Sequence, residues 1–594
     1  MERPGIVTRS APPVDRATRG PRRCIGVVAA LCALTAPVAL VGARPGSLDD
    51  AFVVLVSARS LASRGYFGWV ESGGDAGCTS LLDVLQKAFV VGATDPLAAS
   101  GWLGLAWLAL AAGLAGALSW WLSAGVAPTM PLRARWHAAP RLALALAAAL
   151  TPGLVEGTAY FLETPLFGAL WAVSLGAAAA ARPRVAFGLA LLLPLARPEG
   201  HVLGPAAWLA AAFVAGRSPQ RIARGAVAVV LAQALLLGAR AALLGSLFPS
   251  SYYAKSSDTL WFEVRDGLDY VAAFGATPAG VALGLAVALG LSSALWSSAG
   301  RTAGPTAPEP ASSVARGATV GTCRPRRPLA LAALGLVALV VVVGSGGDGY
   351  LGARLLMPAT LALWCAVAAA VPLTRTAAHG GVELGVLGLA ALASALLALW
   401  VPLVTPLDSV RALVAGPTGL AAFAPDRGVT RALEDALGPA SAPRATPPDP
   451  MARVLAHRHA QRFAWFAPHL ELLDLTGLTD PEVARLPAPG PVRFGRDALE
   501  LALECGVGAL HLDHQLWRPR AWWSEPAVEA LSDPSVADAF LGRPLMSRAL
   551  AQRFAASYVL ATLEDAWGRG RHVNVLVRRD LAPNFRRAGF TVGG

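Results

Sequence analysis

Apolar stretches of around 20 residues recur between residues 23 and 402, separated by short polar loops. Each is long enough to cross about 30 Å of hydrocarbon as a helix. Eleven spans are expected, near 25–43, 103–124, 138–157, 164–181, 185–200, 201–217, 225–244, 275–297, 328–345, 354–373 and 383–403. The fifth and sixth are divided only by the tetrapeptide RPEG. After about Leu407 the hydropathy falls, and the Pro/Gly-rich text AGPTGLAAFAPDRG and LGPASAPRATPPDP marks a linker. Beyond it, residues 451–473 and 529–567 read as helical, and HVNVLVRRDL as a strand. The expected architecture is an α-helical polytopic membrane protein. It has a basic tail at 1–24, a membrane domain at 25–404 with a first outer loop at 44–102, and a C-terminal mixed α/β domain at 405–594.

Composition agrees with the pattern. The 594 residues are 55% hydrophobic and 15% charged, with a mean hydropathy of +0.52. Soluble domains carry about 25% charge. The net charge of +12 does not point to nucleic acid, because much of it lies in short loops where it sets topology. With the N-terminus inside, the cytoplasmic loops hold Arg133 and Arg135, Arg182 and Arg184, Arg217, Arg221 and Arg224, Arg316 with Arg324, Arg326 and Arg327, and Arg375. The opposite loops have only isolated basic residues. This positive-inside pattern with an odd number of spans leaves the C-terminal segment outside the cytoplasmic membrane. The first 22 residues are too polar for a signal core, and the first span has no clear cleavage signal, so it reads as an anchor. The six cysteines form no CxxC pair and no metal spacing.

The same orientation gathers the polar loops on the outer side: Asp49–Asp50, Glu156–Glu163, Arg197–Glu199, 249–255 and 348–354. Asp49 and Asp50 open a segment suited to a short interfacial helix. One Asp there caps a helix. Two together repel unless a ligand, a cation or exposure offsets the charge, and one carboxylate is then placed to act as a general base. Thr79 and Ser80 cap the next helix or line the same cavity. In RPEG, Arg197 either pairs with Glu199 or meets an anionic head group. In LFPSSYYAKSSD, Tyr253 suits an interfacial aromatic belt, and Lys255 beside Ser and Tyr hydroxyls makes a phosphate grip. Arg354 sits at the start of the tenth span, where a buried guanidinium needs a partner or an anion.

Together these loops resemble the multi-spanning, polyprenyl-phosphate-sugar-dependent glycosyltransferases of the GT-C superfamily, and within it the arabinofuranosyltransferase-like proteins of bacterial envelopes. Asp49-Asp50-Ala51-Phe52 matches the family's opening element, and Gly77-Cys78-Thr79-Ser80-Leu81-Leu82 the one that follows, with Leu81 where proline is usual. Leu162-Glu163-Thr164-Pro165, the intact RPEG at Arg197, Phe248-Pro249-Ser250-Ser251-Tyr252-Tyr253-Ala254-Lys255, Gly346-Gly347-Asp348 and Gly352 to Ala359 continue the order. DLTGLTD from Asp474 matches an outer-domain element, but LPAPGPVRFGRD stands where a histidine-containing stretch is usual. The matches run from about residue 47 to 485.

The resemblance implies inverting transfer of a sugar, arabinofuranose among the candidates, from polyprenyl monophosphate to a hydroxyl of an envelope glycan or glycolipid. The bacterial inner membrane is the implied location. Asp49 is then the base, with Asp50 assisting. Lys255 and Arg354 hold the donor phosphate, with Arg197 as a helper. Glu163, Tyr253, Asp348, Thr79, Ser80 and Glu199 shape the sugar or acceptor pocket. A divalent cation beside the two Asp stays an open option, since no strong metal constellation is present. The alternative reading is a transporter or flippase of a lipid-linked sugar. Transporters are often built from inverted repeats, and none is evident here.

Overall fold

The structure, a computed structural model, describes residues 19–40, 49–67, 77, 79–124, 138–159, 162–255, 259–299, 326–347, 353–374, 380–399, 424–438, 450–457, 460–468, 470–475, 481–486, 498–511, 553, 556–564 and 573–593. The apolar stretches are helical, as a segment in hydrocarbon must pair its own backbone groups. In chain order they are α1 (Arg19–Leu40), α2 (Asp49–Arg64), α3 (Leu81–Ala88), α4 (Pro96–Ala124), α5 (Ala138–Ala149), α6 (Pro152–Ala159), α7 (Thr164–Ala179) and α8 (Pro183–Ala196). There follow α9 (Gly200–Val214), α10 (Pro219–Leu244), α11 (Ser250–Lys255), α12 (Leu260–Gly275), α13 (Pro278–Ala299) and α14 (Arg326–Gly344). A 3-10 turn at Arg354–Leu356 leads into α15 (Met357–Thr374), and α16 (Gly380–Ala398) closes the series.

Each expected span falls on a helix, but not every helix has the length of a span. Among the described residues four helical stretches are long and apolar enough to cross a membrane: α4, α10, α14 and Arg354–Val371. The number rises to six if α5–α6, bent by 41°, and α12–α13, bent by 89°, each count as one span. The helices α7, α8 and α9 have 16, 14 and 15 residues, a rise of about 21–24 Å against about 30 Å of hydrocarbon. The molecule is thus mostly helical, with four to six membrane-capable helices and a small C-terminal sheet.

Helix α4 is the hub. It packs on α1, α5, α7 and α15, and Ala111, Ala112 and Ala115 are buried along it. Small side chains let backbones approach closely, which is how helices gain contact where lipid removes the hydrophobic driving force. Trp171, Phe167 and Trp364 fill the wider gaps. Helix α10 stands apart, with only Val229 and Gln233 buried.

The C-terminal segment forms one six-stranded sheet of order β2-β1-β3-β5-β4-β6. The strands are β1 (Val454–His457), β2 (Glu471–Asp474), β3 (Ala509–His511), β4 (Tyr558–Leu563), β5 (Val573–Arg578) and β6 (Thr591–Val592). Strands β2, β1 and β3 are parallel, and the remaining pairs are antiparallel. Helices α17 (Ala424–Leu437), α18 (Ala460–Phe466), α19 (Pro481–Ala484), α20 (Ala498–Cys505) and α21 (Ala582–Arg587) complete the domain. One face packs Val454, Ala456, Leu510 and Leu576 against Val483 and Ala502. The other packs Leu455, Ala509, Val575 and Val577 against Leu433, Phe463 and Phe585. Strands covered on both faces read as unbroken apolar runs.

That double burial corrects two expectations. Residues 451–473 are not one helix but β1, α18 and β2, and the end of the expected helix at 529–567 is β4. A short apolar run buried on both sides has no period that separates strand from helix. HVNVLVRRDL is strand at β5, as expected.

The sheet domain docks on α2. Arg59 of α2 donates to the carbonyls of Trp465 (2.8 Å) and Ala464 (2.7 Å) at the end of α18. Its guanidinium lies 4.6 Å from the Trp465 ring centroid. Phe52 meets the rings of Trp465 and Phe466 at 6.3 and 5.9 Å. Burial, with the Arg64 charge adding, pushes the Arg59 pKa down to about 10, so it remains cationic at neutral pH. Helix α19 also contacts α11. Replacing Arg59 by Ala removes two charge-assisted hydrogen bonds and a stacked cation, an expected loss of about 2–4 kcal/mol. Hydrogen exchange of α18 in the purified protein should rise well above that of α4, and unchanged protection of α18 would refute the docking role.

Candidate functional site

The site is built from four segments at one end of the helices. The first is the RPEG turn. Arg197 ends α8 in an extended conformation, φ −156° and ψ 146°. Gly200 donates its N–H to the Arg197 carbonyl at 2.9 Å. A Cβ at Gly200 would stand 2.2 Å from the Leu193 carbonyl carbon, so only glycine lets α9 start this close to α8.

The turn aims Arg197 inward, where it is 9% exposed. Its guanidinium forks onto Glu199, Nη2 to Oε1 at 2.9 Å and Nε to Oε2 at 3.2 Å. Its Nη1 meets Glu163 Oε1 at 3.0 Å and Thr164 Oγ1 at 3.5 Å. Glu163 stands at the start of α7, so the cluster ties α7, α8 and α9 together. Burial alone would raise the Glu199 pKa, but the charge and hydrogen bonds of Arg197 outweigh it, and Glu199 is held below the usual carboxylate value. The Arg197 pKa is raised, because Glu199 and Glu163 overcome its burial. Arg354 acts electrostatically on both Arg197 and Glu199, so two cations face two carboxylates.

Arg354 is placed from the opposite side. Glu156 of α6 accepts the Ala353 N–H at 2.6 Å. A Cβ on Gly153 would lie 2.2 Å from the Ala353 oxygen and 3.0 Å from the Arg354 Cα. The first turn of α6 therefore lies directly on the backbone that carries Arg354. Trp171 of α7 donates to the Pro358 carbonyl at 2.9 Å and locks the start of α15.

The fourth segment is α11 with the residues before it. Phe248 packs on Tyr252 at 4.9 Å and Tyr253 at 6.5 Å, and edge-on with His201 at 6.4 Å. His201 follows Gly200 directly, so an aromatic chain joins RPEG to α11. His201 Nδ1 lies 2.6 Å from Gln233 Oε1, and Gln233 donates to the Ala190 carbonyl at 2.6 Å. Tyr253 is half-buried.

The structure thus brings Glu163, Arg197, Glu199 and Arg354 together and links Tyr253 to them. Arg197 pairs with Glu199 in the first of the two ways its sequence allows. Ser80 does cap α3, accepting the Asp83 N–H at 3.1 Å, and is buried, with Thr79 half-buried beside it. Asp49 and Asp50 are the first residues of α2. Their side chains, that of Lys255, and all of Asp348 lie outside the described residues, as do residues 476–480 of the DLTGLTD element.

Two polar clusters escape a reading of the sequence. Asp83 and Lys87 of α3 form an ion pair at 2.8 Å with side chains 1% and 4% exposed. Gln86 donates to Asp83 at 2.5 Å and accepts from Trp107 of α4 at 2.6 Å. The i,i+4 spacing was visible, but the burial was not. In the sheet domain, His457, Asp474 and His511 end β1, β2 and β3 in one register row, all buried. The imidazoles stack with centroids 4.2 Å apart, against Phe463. Carboxyl ends of parallel strands are common ligand positions. Among the described residues no group of three or more His, Cys, Asp or Glu is arranged to hold a metal.

No protein-family profile, curated protein or solved structure matches this chain.

Replacing Arg197 by Ala would leave two buried carboxylates without their cation, a loss of about 3–5 kcal/mol, read as a lower midpoint of thermal unfolding in detergent. Glu199 sets a pH dependence of the opposite kind to a histidine. Its lowered pKa stabilises the fold above the ordinary value of 4.5, and that stabilisation is lost as pH falls through the lower, folded-state value. Glu199→Gln should flatten the acid limb of the stability curve below about pH 4.5. An unchanged limb would exclude the pair as its source.

Proposed function

We propose that this chain is an inverting membrane glycosyltransferase that moves a sugar from a polyprenyl-phosphate donor to a hydroxyl of an envelope glycan or glycolipid. The observation that carries the reading is the convergence of Glu163, Arg197–Glu199 and Arg354, from three separated loops, at the end of the helices where α11 also lies. These are segments through which the sequence resembles the GT-C enzymes.

In this reading Asp49 is the general base and Asp50 its helper, at the start of α2. The base takes the proton of the acceptor hydroxyl from within about 3 Å. The hydroxyl oxygen attacks the anomeric carbon opposite the lipid phosphate, whose bond to the sugar breaks with inversion. Arg354 and Lys255 stabilise the charge that grows on the departing phosphate. Arg197 is already neutralised by two carboxylates, so its part is to set the turn and hold Arg354 in a balanced field. Tyr253, Glu163, Glu199, Thr79, Ser80 and Asp348 then line the sugar and acceptor side. Eleven membrane crossings with the C-terminal domain outside go with this reading. The contact of α2 with α18 supports it, since both must lie on one side of the bilayer, with an even number of crossings between residues 103 and 403.

The decisive experiment is sugar transfer by the protein purified in lipid, with a panel of polyprenyl-phosphate sugars and envelope acceptors. Wild type should turn over, and Asp49→Asn or Asp50→Asn should lower the rate by about 100-fold or more, the size of a lost general base. Full activity in both variants would overturn the carboxylate mechanism. Movement of the lipid-linked sugar between leaflets without transfer would make the chain a transporter.

A further inference from the structure

The far end of the α8–α9 hairpin carries a second polar site. Helix α8 runs from Pro183 to Ala196 and α9 returns from Gly200 to Val214, so residues 183 and 217 lie about 20 Å from the RPEG turn. There the starts of α8 and α10 and the end of α9 frame an open cavity of about 320 Å³. Arg184, Arg217 and Arg221 line it, over a floor of Phe187, Trp208 and Ala212.

Three guanidinium groups around one open cavity concentrate positive potential there, which favours an anion. None of the three has a carboxylate partner among the described residues. Arg326, at the same end, is occupied differently: its Nη1 lies 3.4 Å from the Phe213 carbonyl and its guanidinium 5.5 Å from the Phe213 ring. The three lining arginines are also exposed, so their charge is accessible from outside the helix layer. The cavity size is that of a small-molecule pocket.

The surroundings select an amphipathic ligand. Phe187 and the buried Trp208 make the floor apolar. Next to it, Phe213 of α9 and Val227, Val230, Leu231 and Leu235 of α10 are exposed. A ligand with its charged head in the cavity has exposed apolar side chains on the same two helices available for acyl chains. Guanidinium groups match phosphate oxygens through paired hydrogen bonds.

We propose that this cavity binds the phosphate head group of an anionic phospholipid in the leaflet opposite the RPEG site, with its chains along α9 and α10. The inference does not depend on glycosyl transfer. A soluble phosphate ester shares the head-group chemistry, and the test separates the two.

The test is native mass spectrometry of the full-length protein in detergent, titrated with phosphatidylglycerol, phosphatidylcholine and glycerol 3-phosphate. Wild type should bind phosphatidylglycerol at least about tenfold more tightly than either of the others. The triple variant R184Q/R217Q/R221Q should weaken phosphatidylglycerol by about 100-fold, given roughly 1 kcal/mol for each basic side chain at an anionic lipid surface. These arginines also help orient the chain, so R184K/R217K/R221K keeps the charge and removes only the paired hydrogen bonds, with an expected weakening of about fivefold. Equal binding of phosphatidylcholine would overturn the anion site. Equal binding of glycerol 3-phosphate would overturn the lipid assignment. So would an unchanged phosphatidylglycerol constant in the glutamine variant or, should that variant fail to fold, in the lysine variant.

Discussion

The arrangement of the candidate site depends on one buried guanidinium. Arg197 is nearly out of solvent, and a cation in that position must be neutralised and hydrogen-bonded or the fold rejects it. Glu199 answers from the same turn and Glu163 from the start of α7. Satisfying one charge therefore fixes three helices. The consequence reaches Arg354, whose charge acts on both Arg197 and Glu199. The Arg197 charge is thus balanced within the cluster by Glu199 and Glu163.

A second constraint joins the two halves of the chain. Helix α2, which opens with the Asp pair, has its apolar face shared between Leu97 of α4 and Trp465 of α18. Arg59 caps the end of α18 through two carbonyls, groups a helix terminus otherwise leaves unsatisfied. The carboxylate helix is thus clamped between the helical domain and the sheet domain. The sheet turns toward this contact the side on which His457 and His511 stack against Phe463. A segment of the sheet domain also reaches α11, so the two helices that carry candidate residues, α2 and α11, have the same neighbour.

Much of this was legible in residue order. The apolar stretches are helices, the RPEG tetrapeptide is a turn, Ser80 is a cap and α2 begins at Asp49, because each rests on local rules of burial, capping and turn chemistry. The limits were equally physical. Hydropathy marks a stretch as apolar without giving its helical length, so α7, α8 and α9 are shorter than the stretches that announce them. The short strands β1 and β4 have no strand-like alternation in the sequence, because burial on both faces erases it. In the sequence Asp83 and Lys87 show only an i,i+4 spacing, and the packing of α2 and α8 around α3, with Trp107 of α4 on Gln86, takes the pair out of water.

By itself the sequence determined the class of the protein: an Ala-rich helical chain with apolar stretches, polar loops of defined composition and a separate C-terminal domain. Those features follow from composition and from interactions within a few residues. The tertiary structure decided which polar residues meet. Glu156 finds the Ala353 backbone across 197 positions, and Arg59 finds Trp465 across 406. No local rule carries such pairings. They exist because a buried charge or an unsatisfied backbone group must find its partner wherever the packing of the helices puts one.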